Sequence, residues 1–323
     1  MKKISYFFLL VIFLSGCSIT GNTVQEKHEN GSISVYFCPE SNCSSIISGE
    51  IAKNNEYVHC AFYDANLPDV IYSLEKSSNS IDTGLFTDNS NPPSLPFAGT
   101  DNRNALMHNK FCVGDGTRVL TGSFNPTFGG LDDENNLVLI ESKSIARNYE
   151  DEFQEFRQGI FGRGNRVKNP VVVINGTRVE NYFCPDDWCS DKVLKTLNLA
   201  EKSVHFMVYS FTDDSIGDLL VQKYKSGIDV SGILDSSQNK NSDFSEYGKL
   251  LSAGVNVSLH GTGKKLLHHK VFIIDSRIVI TGSYNPTKNA DTSNDENIII
   301  IYNEEIAKQF EAKLNEIKKS IIN

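Results

Sequence analysis

The sequence predicts an α/β (α+β) protein made of two copies of one unit, each a mixed β-sheet flanked by helices, packed about a pseudo-twofold axis. Three observations predict it. The string His108-x-Lys110-(x4)-Asp115-(x6)-Gly122-Ser123-x-Asn125 recurs as His268-x-Lys270-(x4)-Asp275-(x6)-Gly282-Ser283-x-Asn285, with Pro-Thr after both copies. A cysteine bracket upstream of the string, Cys38-Pro-Glu-Ser-Asn-Cys43, recurs as Cys184-Pro-Asp-Asp-Trp-Cys189. Apolar strand-like runs alternate with amphipathic helix-like runs in both halves. Six positions that each match by chance about one time in twenty give a single copy at roughly 10⁻⁸ per starting position, so coincidence is excluded.

At 323 residues and 39% hydrophobic content the chain is globular, and disorder of the whole is excluded. Before the repeats, Lys2 and Lys3 precede an apolar run over residues 4–14 that ends in Leu14-Ser15-Gly16-Cys17. This is too short to cross a bilayer as a mature helix and has the layout of a secretory signal. Leu-Ser-Gly-Cys resembles a prokaryotic lipobox, which implies cleavage before Cys17 and a diacylglyceryl thioether on its sulfur. The expectation is a signal peptide over 1–16 and a lipidated Cys17 with a polar tether over 17–33. The body would then be an exported lipoprotein, membrane-anchored on the extracytoplasmic side.

The first repeat is expected over 34–160, a Gly/Arg/Asn-rich linker over 161–180, and the second repeat over 181–323. Val35-Tyr36-Phe37-Cys38-Pro39 answers Asn181-Tyr182-Phe183-Cys184-Pro185, and each is followed by an amphipathic stretch, 46–53 and 193–202. Next come an apolar strand (57–63; 203–209), a helix (67–77; 214–226) and a strand ending in Asp (81–88; 228–235). The motif hairpin follows, then a closing helix marked by Ile145-Ala146 and Ile306-Ala307. The repeats differ between the Asp-ending strand and the motif. The first has a proline-bearing segment over 89–104; the second has a polar insertion over 236–246 and a further helix and strand up to His260. These loops either select substrate or merely connect elements.

In an exported chain the brackets read as short disulfides, Cys38 with Cys43 and Cys184 with Cys189, with a four-cysteine zinc site as the alternative. Cys60 and Cys112 lie in apolar runs and fit either a third bridge or two buried thiols. The net charge of −9 argues mildly against wrapping duplex DNA with a large basic face, and leaves a narrow cleft open.

Side chains two apart in a strand share a face, so His108 projects with Lys110 and Ser123 with Asn125, and likewise in the second copy. Imidazole, ammonium, hydroxyl and amide together suit a phosphate. Both strings resemble the HKD signature of the phospholipase D superfamily, HxKxxxxDxxxxxxGSxN, and the resemblance covers nearly all of the chain beyond the tether. It implies two repeats side by side with both histidines facing one phosphodiester. One of His108 and His268 would attack phosphorus to form a phosphohistidine, and the other would protonate the leaving oxygen and then activate water.

The resemblance further implies that Lys110, Lys270, Asn125 and Asn285 hold the phosphoryl charge, while Ser123 and Ser283 are expected as either phosphate contacts or turn residues. It needs no metal and no other cofactor. Glu134 and Glu296 match the position whose carboxylate orients a histidine. Asp115 and Asp275 are expected to be structural turn residues. His59, His205, His260 and His269 are expected to be core or surface residues, Lys264 and Lys265 a solvated basic pair with the cleft entrance as the alternative, and Trp188 a local packing residue with ligand stacking as the alternative.

Three functions remain at this level. The first is an exported, membrane-tethered nuclease, acting as a monomer on DNA or RNA. The second is a phospholipase D hydrolysing phosphatidylcholine-type lipids to phosphatidic acid. The third is a noncatalytic nucleic-acid- or lipid-binding protein. Short repeats favour the nuclease. Leu95-Pro96-Phe97 and Leu266-Leu267 are the apolar loop candidates a lipid enzyme would use.

Overall fold

The strands Lys110–Gly114 and Arg118–Gly122 form where apolar residues flank the turn at Asp115, and they anchor a seven-stranded mixed sheet. The computed structural model describes residues 26–261 and 265–322. The sheet of the first half runs Ser32–Cys38, Asn135–Glu141, Arg118–Gly122, Lys110–Gly114, Tyr57–Phe62, Asp82–Asp88, Ala98–Asp101. The second half repeats that order with Thr177–Cys184, Glu296–Tyr302, Ile278–Gly282, Lys270–Ile274, Ser203–Val208, Asp229–Asp235, Asn256–His260. Parallel pairing at one end of each sheet and antiparallel pairing at the motif hairpin make both sheets mixed.

Asp115 shows why the motif carries an aspartate at the turn. Its carboxylate accepts from the backbone N–H groups of Asn55, Glu56 and Tyr57 at 2.9–3.0 Å, and Asp275 does the same for Glu201, Lys202 and Ser203. Both residues adopt positive φ, 49° and 51°, which Asp tolerates better than most side chains. Each therefore ties its hairpin to the start of the neighbouring strand.

The two sheets enclose a shared apolar layer. Phe111, Val113, Val138 and Ile140 from one half and Val271, Ile273, Ile299 and Ile301 from the other bury there with the closing helices Lys143–Arg157 and Glu304–Ile322. Outer helices cover the opposite faces: Cys43–Ala52 and Pro68–Ser78 in the first half, Cys189–Asn198 and Asp214–Lys225 in the second. Strands buried on both faces explain runs such as Ile298-Ile299-Ile300-Ile301.

Both cysteine brackets close as disulfides, and Cys60 joins Cys112 across neighbouring strands. In the second half the corresponding cross-strand pair is Phe206 opposite Phe272, so the disulfide replaces an aromatic contact.

Two boundaries differ from the sequence reading. The tether expected through residue 33 gives way to strand at Lys27–Glu29, which adds to the edge of the second sheet, and again at Ser32–Cys38. Edge strands can be polar, so composition hides them. The linker expected over 161–180 contains a hairpin, Val171–Ile174 and Thr177–Cys184. Its turn is Asn175-Gly176, both at positive φ, and Asn-Gly between apolar strands is the signal that would have revealed it. Cys17, residues 1–16 and Lys264 lie outside the described residues. Among the described residues no helix is long and apolar enough to cross a membrane.

Candidate active site

Where the halves meet, each motif histidine is delivered by a backbone crossing between repeats. His108 N–H donates to Asp295 O and His268 N–H donates to Glu134 O, both at 2.9 Å, so the segment before one motif pairs with the segment after the other. A cavity of about 890 Å³ opens there, lined by both histidines, Asn125, Asn285, Tyr63 and Tyr209. Its remaining wall is mostly amide and hydroxyl: Asn104, Asn289, Asn294, Ser210, Ser293 and Thr212, with Lys288. One chain thus assembles one site from two half-motifs.

The histidines have unlike partners. His108 Nδ1 lies 2.8 Å from Glu296 Oε2, whereas His268 Nδ1 lies 2.9 Å from Asn135 Oδ1 and 3.1 Å from Ser123 O. Each partner comes from the opposite repeat. All three partner atoms are acceptors, so each Nδ1 carries the proton and the neutral rings turn Nε2 lone pairs toward the cavity. Burial lowers the pKa of His108 against the carboxylate of Glu296, and lowers that of His268 well below the usual histidine value, helped by Lys270, Lys110 and His108. Both shifts favour the neutral ring, that of His268 more strongly.

Lys110 and Lys270 are almost fully buried and donate to the carbonyls of His108 and His268 at 2.8 and 2.6 Å. Burial pushes Lys110 down to about 7 and Lys270 well below the usual lysine value, with Lys110 adding to the effect on Lys270. Glu296 counters part of the shift in both, and two buried amines with their charged forms disfavoured make a site that gains by receiving an anion. Tyr63 and Tyr209 lie edge-on to His108 and His268 at 5.4 and 4.8 Å, and each ring also faces its own lysine.

Three expectations need correction. Glu134 does not orient a histidine: its carboxylate binds Lys265 at 3.0 Å and buried Lys313 at 2.8 Å. The register explains this, since Asn135 stands opposite Cys38 just as Glu296 stands opposite Cys184. The connection before Asn135, a short 3-10 turn at Gly129–Leu131, is shorter than the one containing the helix Lys288–Thr292. That length difference shifts the match by one residue, and sequence spacing alone could not show it.

Ser123 and Ser283 are not phosphate contacts but fully buried struts. Ser123 Oγ donates to Asn135 Oδ1 at 2.9 Å and Ser283 Oγ to Glu296 Oε2 at 2.5 Å, each holding the side chain that holds a histidine. Trp188, expected to pack locally, is 51% exposed and faces Arg166.

Of the remaining residues, His59 is buried between Glu150 and Arg157, and His205 lies on the surface near Asp229. His260 is half-buried, with its pKa lowered chiefly by burial. Lys265 is paired rather than free. His269 is buried against Asn136 in the seam beneath the site, where Asn297 joins Thr121 and Asn109. Among the described residues no cluster of three or more His, Cys, Asp or Glu side chains could hold a metal.

Two lysine-backed histidines on one cavity define a phosphodiester hydrolase. The family model described as "Cardiolipin synthase, PLD-like domain" matches residues 85–157 and 193–318, and the chain belongs to the phospholipase D superfamily. It is 34% identical over 140 residues to a Phospholipase D of Rickettsia typhi, covering 43% of this chain and 68% of that one. It is 29% identical over 126 residues to a Mitochondrial cardiolipin hydrolase of Chlamydomonas reinhardtii, covering 39% and 56%. In fold it is similar to phosphatidylserine synthase from Haemophilus influenzae, with TM-score 0.68, 12% identity, and coverage of 88% and 86%.

Proposed function

We propose that this protein is an exported, membrane-tethered nuclease that cleaves phosphodiesters through a phosphohistidine on His108, with His268 as acid and base. The observation that carries the division of roles is the unlike pairing, Glu296 on His108 and Asn135 on His268. A carboxylate on Nδ1 makes the His108 Nε2 lone pair more basic and stabilises the positive ring that forms when it bonds to phosphorus. A neutral amide on His268 leaves its imidazolium a stronger acid.

In the first step the Nε2–P bond of His108 forms, the P–O bond to the leaving group breaks, and that oxygen takes the Nε2 proton of His268. In the second step water attacks phosphorus, His268 takes its proton, and the P–N bond breaks to free His108. Lys110 and Lys270 neutralise charge on the nonbridging oxygens, while Asn125 and Asn285 on the cavity wall donate hydrogen bonds to them. The bound phosphodiester anion offsets the lysines and raises the pKa of His268 so that the ring arrives protonated.

The amide- and hydroxyl-lined wall supports a nucleic acid, since it offers hydrogen bonds to sugar, phosphate and base without an acyl-binding surface. A phospholipid is the second reading. It is favoured by the phospholipid-cleaving relatives and by Phe128 and Phe244, 63% and 82% exposed, which follow the cavity residues Asn125 and Gln238 in the chain. The loop candidates from sequence do not serve this reading: Leu267 is buried, and Leu95 and Phe97 pack against the first-half core.

The test uses the full-length protein in EDTA with a labelled single-stranded oligonucleotide and, in parallel, phospholipid vesicles. Oligonucleotide cleavage lost in both His108→Ala and His268→Ala is expected. Headgroup release without oligonucleotide cleavage would replace the nuclease reading with the lipid one.

A further inference from the structure

The segment that joins the two halves is tied to the corner of the catalytic cavity and carries two exposed arginines, Arg163 and Arg166. Gly162 N–H donates to Asp295 Oδ1 at 2.5 Å, and Asp295 adjoins Glu296, the partner of His108. Arg103 locks this corner: its guanidinium pairs with Asp101 and Asp295 and donates to Ser293 O at 3.2 Å. Ser293 lines the catalytic cavity. On the far side of Arg103 lies a second cavity of about 610 Å³, walled by Phe86, Phe161, Asn102, Arg157 and Arg163.

The charges differ in availability. Arg157 is held by Asp82 at 2.6 Å, and Arg103 by its two aspartates. Arg163 is exposed and, among the described residues, has no anionic partner. Three residues on, the exposed Arg166 lies over the Trp188 ring at 3.7 Å from its centroid. The bracket carrying Trp188 also adjoins the cavity wall, because Ser190 N–H donates to Asp291 Oδ1 of the short helix Lys288–Thr292. Asp186, Glu155 and Asp187 are turned onto the segment's own backbone N–H groups at Gly164, Asn165 and Val167, which leaves the Arg163 guanidinium on the groove and the Arg166–Trp188 stack exposed beyond it: charge for the phosphates and a flat face for a base of single-stranded nucleic acid. A lipid headgroup would not extend so far from the scissile bond.

We infer that this joining segment, through Arg163, Arg166 and Trp188, is a track that binds the single-stranded nucleic acid flanking the cleaved phosphodiester. The inference rests on the nuclease reading and adds the surface that would hold the strand.

The experiment compares the full-length protein with Arg163→Glu/Arg166→Glu and with Trp188→Ala. It measures turnover of bis(p-nitrophenyl) phosphate and KM for a dinucleotide and for a 20-nucleotide single strand across a salt series. The double variant is expected to raise KM for the 20-mer at least tenfold while leaving the two small substrates unchanged. Its log KM against log salt should lose about 1.4 units of slope, since two phosphate contacts are removed at roughly 0.7 each. Trp188→Ala is expected to raise KM for the 20-mer without changing the slope, as stacking releases no counterions. An unchanged KM for the 20-mer, or an equal loss on all three substrates, overturns the track while the nuclease reading stands. Turnover of bis(p-nitrophenyl) phosphate with neither binding nor cleavage of the 20-mer by the unmodified protein overturns the nuclease reading itself, and the track with it.

Discussion

Replacing Glu296 by Gln keeps the shape of the histidine's partner and removes its charge, which isolates what the carboxylate contributes. Glu296 is buried, 2.8 Å from His108 Nδ1, and Ser283 Oγ holds the same oxygen. A hydrogen bond to a charged group is worth about 1.5–3 kcal/mol more than nothing, and burial places this pair toward the upper end. If that full amount is felt only when His108 becomes positive, kcat falls by roughly 10- to 150-fold. The pH profile supplies an independent sign. Glu296 raises the His108 pKa against the burial that lowers it, so its removal lowers that pKa further. His108 must be neutral to attack, so the acidic limb of the free-enzyme profile should move to lower pH as the rate falls.

The assay is bis(p-nitrophenyl) phosphate turnover between pH 4 and 9, with an alkaline denaturing quench to trap the acid-labile phosphohistidine. His268→Ala should accumulate phosphate on His108, and His108→Ala should trap none. Phosphate recovered on His268, or a Glu296→Gln enzyme within threefold of the parent, would refute the assignment of roles.

The other expectations concern stability and can be read by thermal or urea unfolding. Asp115→Asn should cost about 1.5–3 kcal/mol by weakening charge-assisted bonds to three backbone N–H groups, with no shift in the pH–rate profile. The Asp115 pKa is lowered in the fold, by those same N–H groups against burial, so its contribution is present above the unfolded carboxyl value and lost as pH falls through the folded one. His269→Asn, which copies Asn109 of the first repeat, should flatten the loss of stability below about pH 6.5. His269 is held neutral by burial, with Lys313 and Lys270 adding to it, while the unfolded chain takes up the proton. Replacing Cys60 and Cys112 by Ala should cost about 4 kcal/mol on loop-entropy grounds for a separation of 52 residues. Opening either five-residue bracket should cost only about 2 kcal/mol.

By itself the sequence determined the duplication, the mixed sheets and the identity of the histidine–lysine pairs. A repeat kept at constant spacing encodes one local structure twice, and hairpins with their turn aspartates are local enough to read from spacing. It could also have disclosed the Asn175-Gly176 hairpin.

What depends on pairing between distant segments was decided only in three dimensions. Asn135 rather than Glu134 meets His268 because a strand register one residue different from the spacing match sets which side chain turns inward. Ser123 and Ser283 face the partners of the histidines rather than the cavity because those partners arrive from a strand 12 and 13 residues further on. Cys60 and Cys112 were equally compatible with free thiols until the register between their strands placed them opposite each other. The joining segment reads in sequence as Gly, Arg and Asn between repeats. Only the fold sets Arg163 on the second cavity and Arg166 over Trp188, with Gly162 between the halves bound by Asp295 from the far end of the chain.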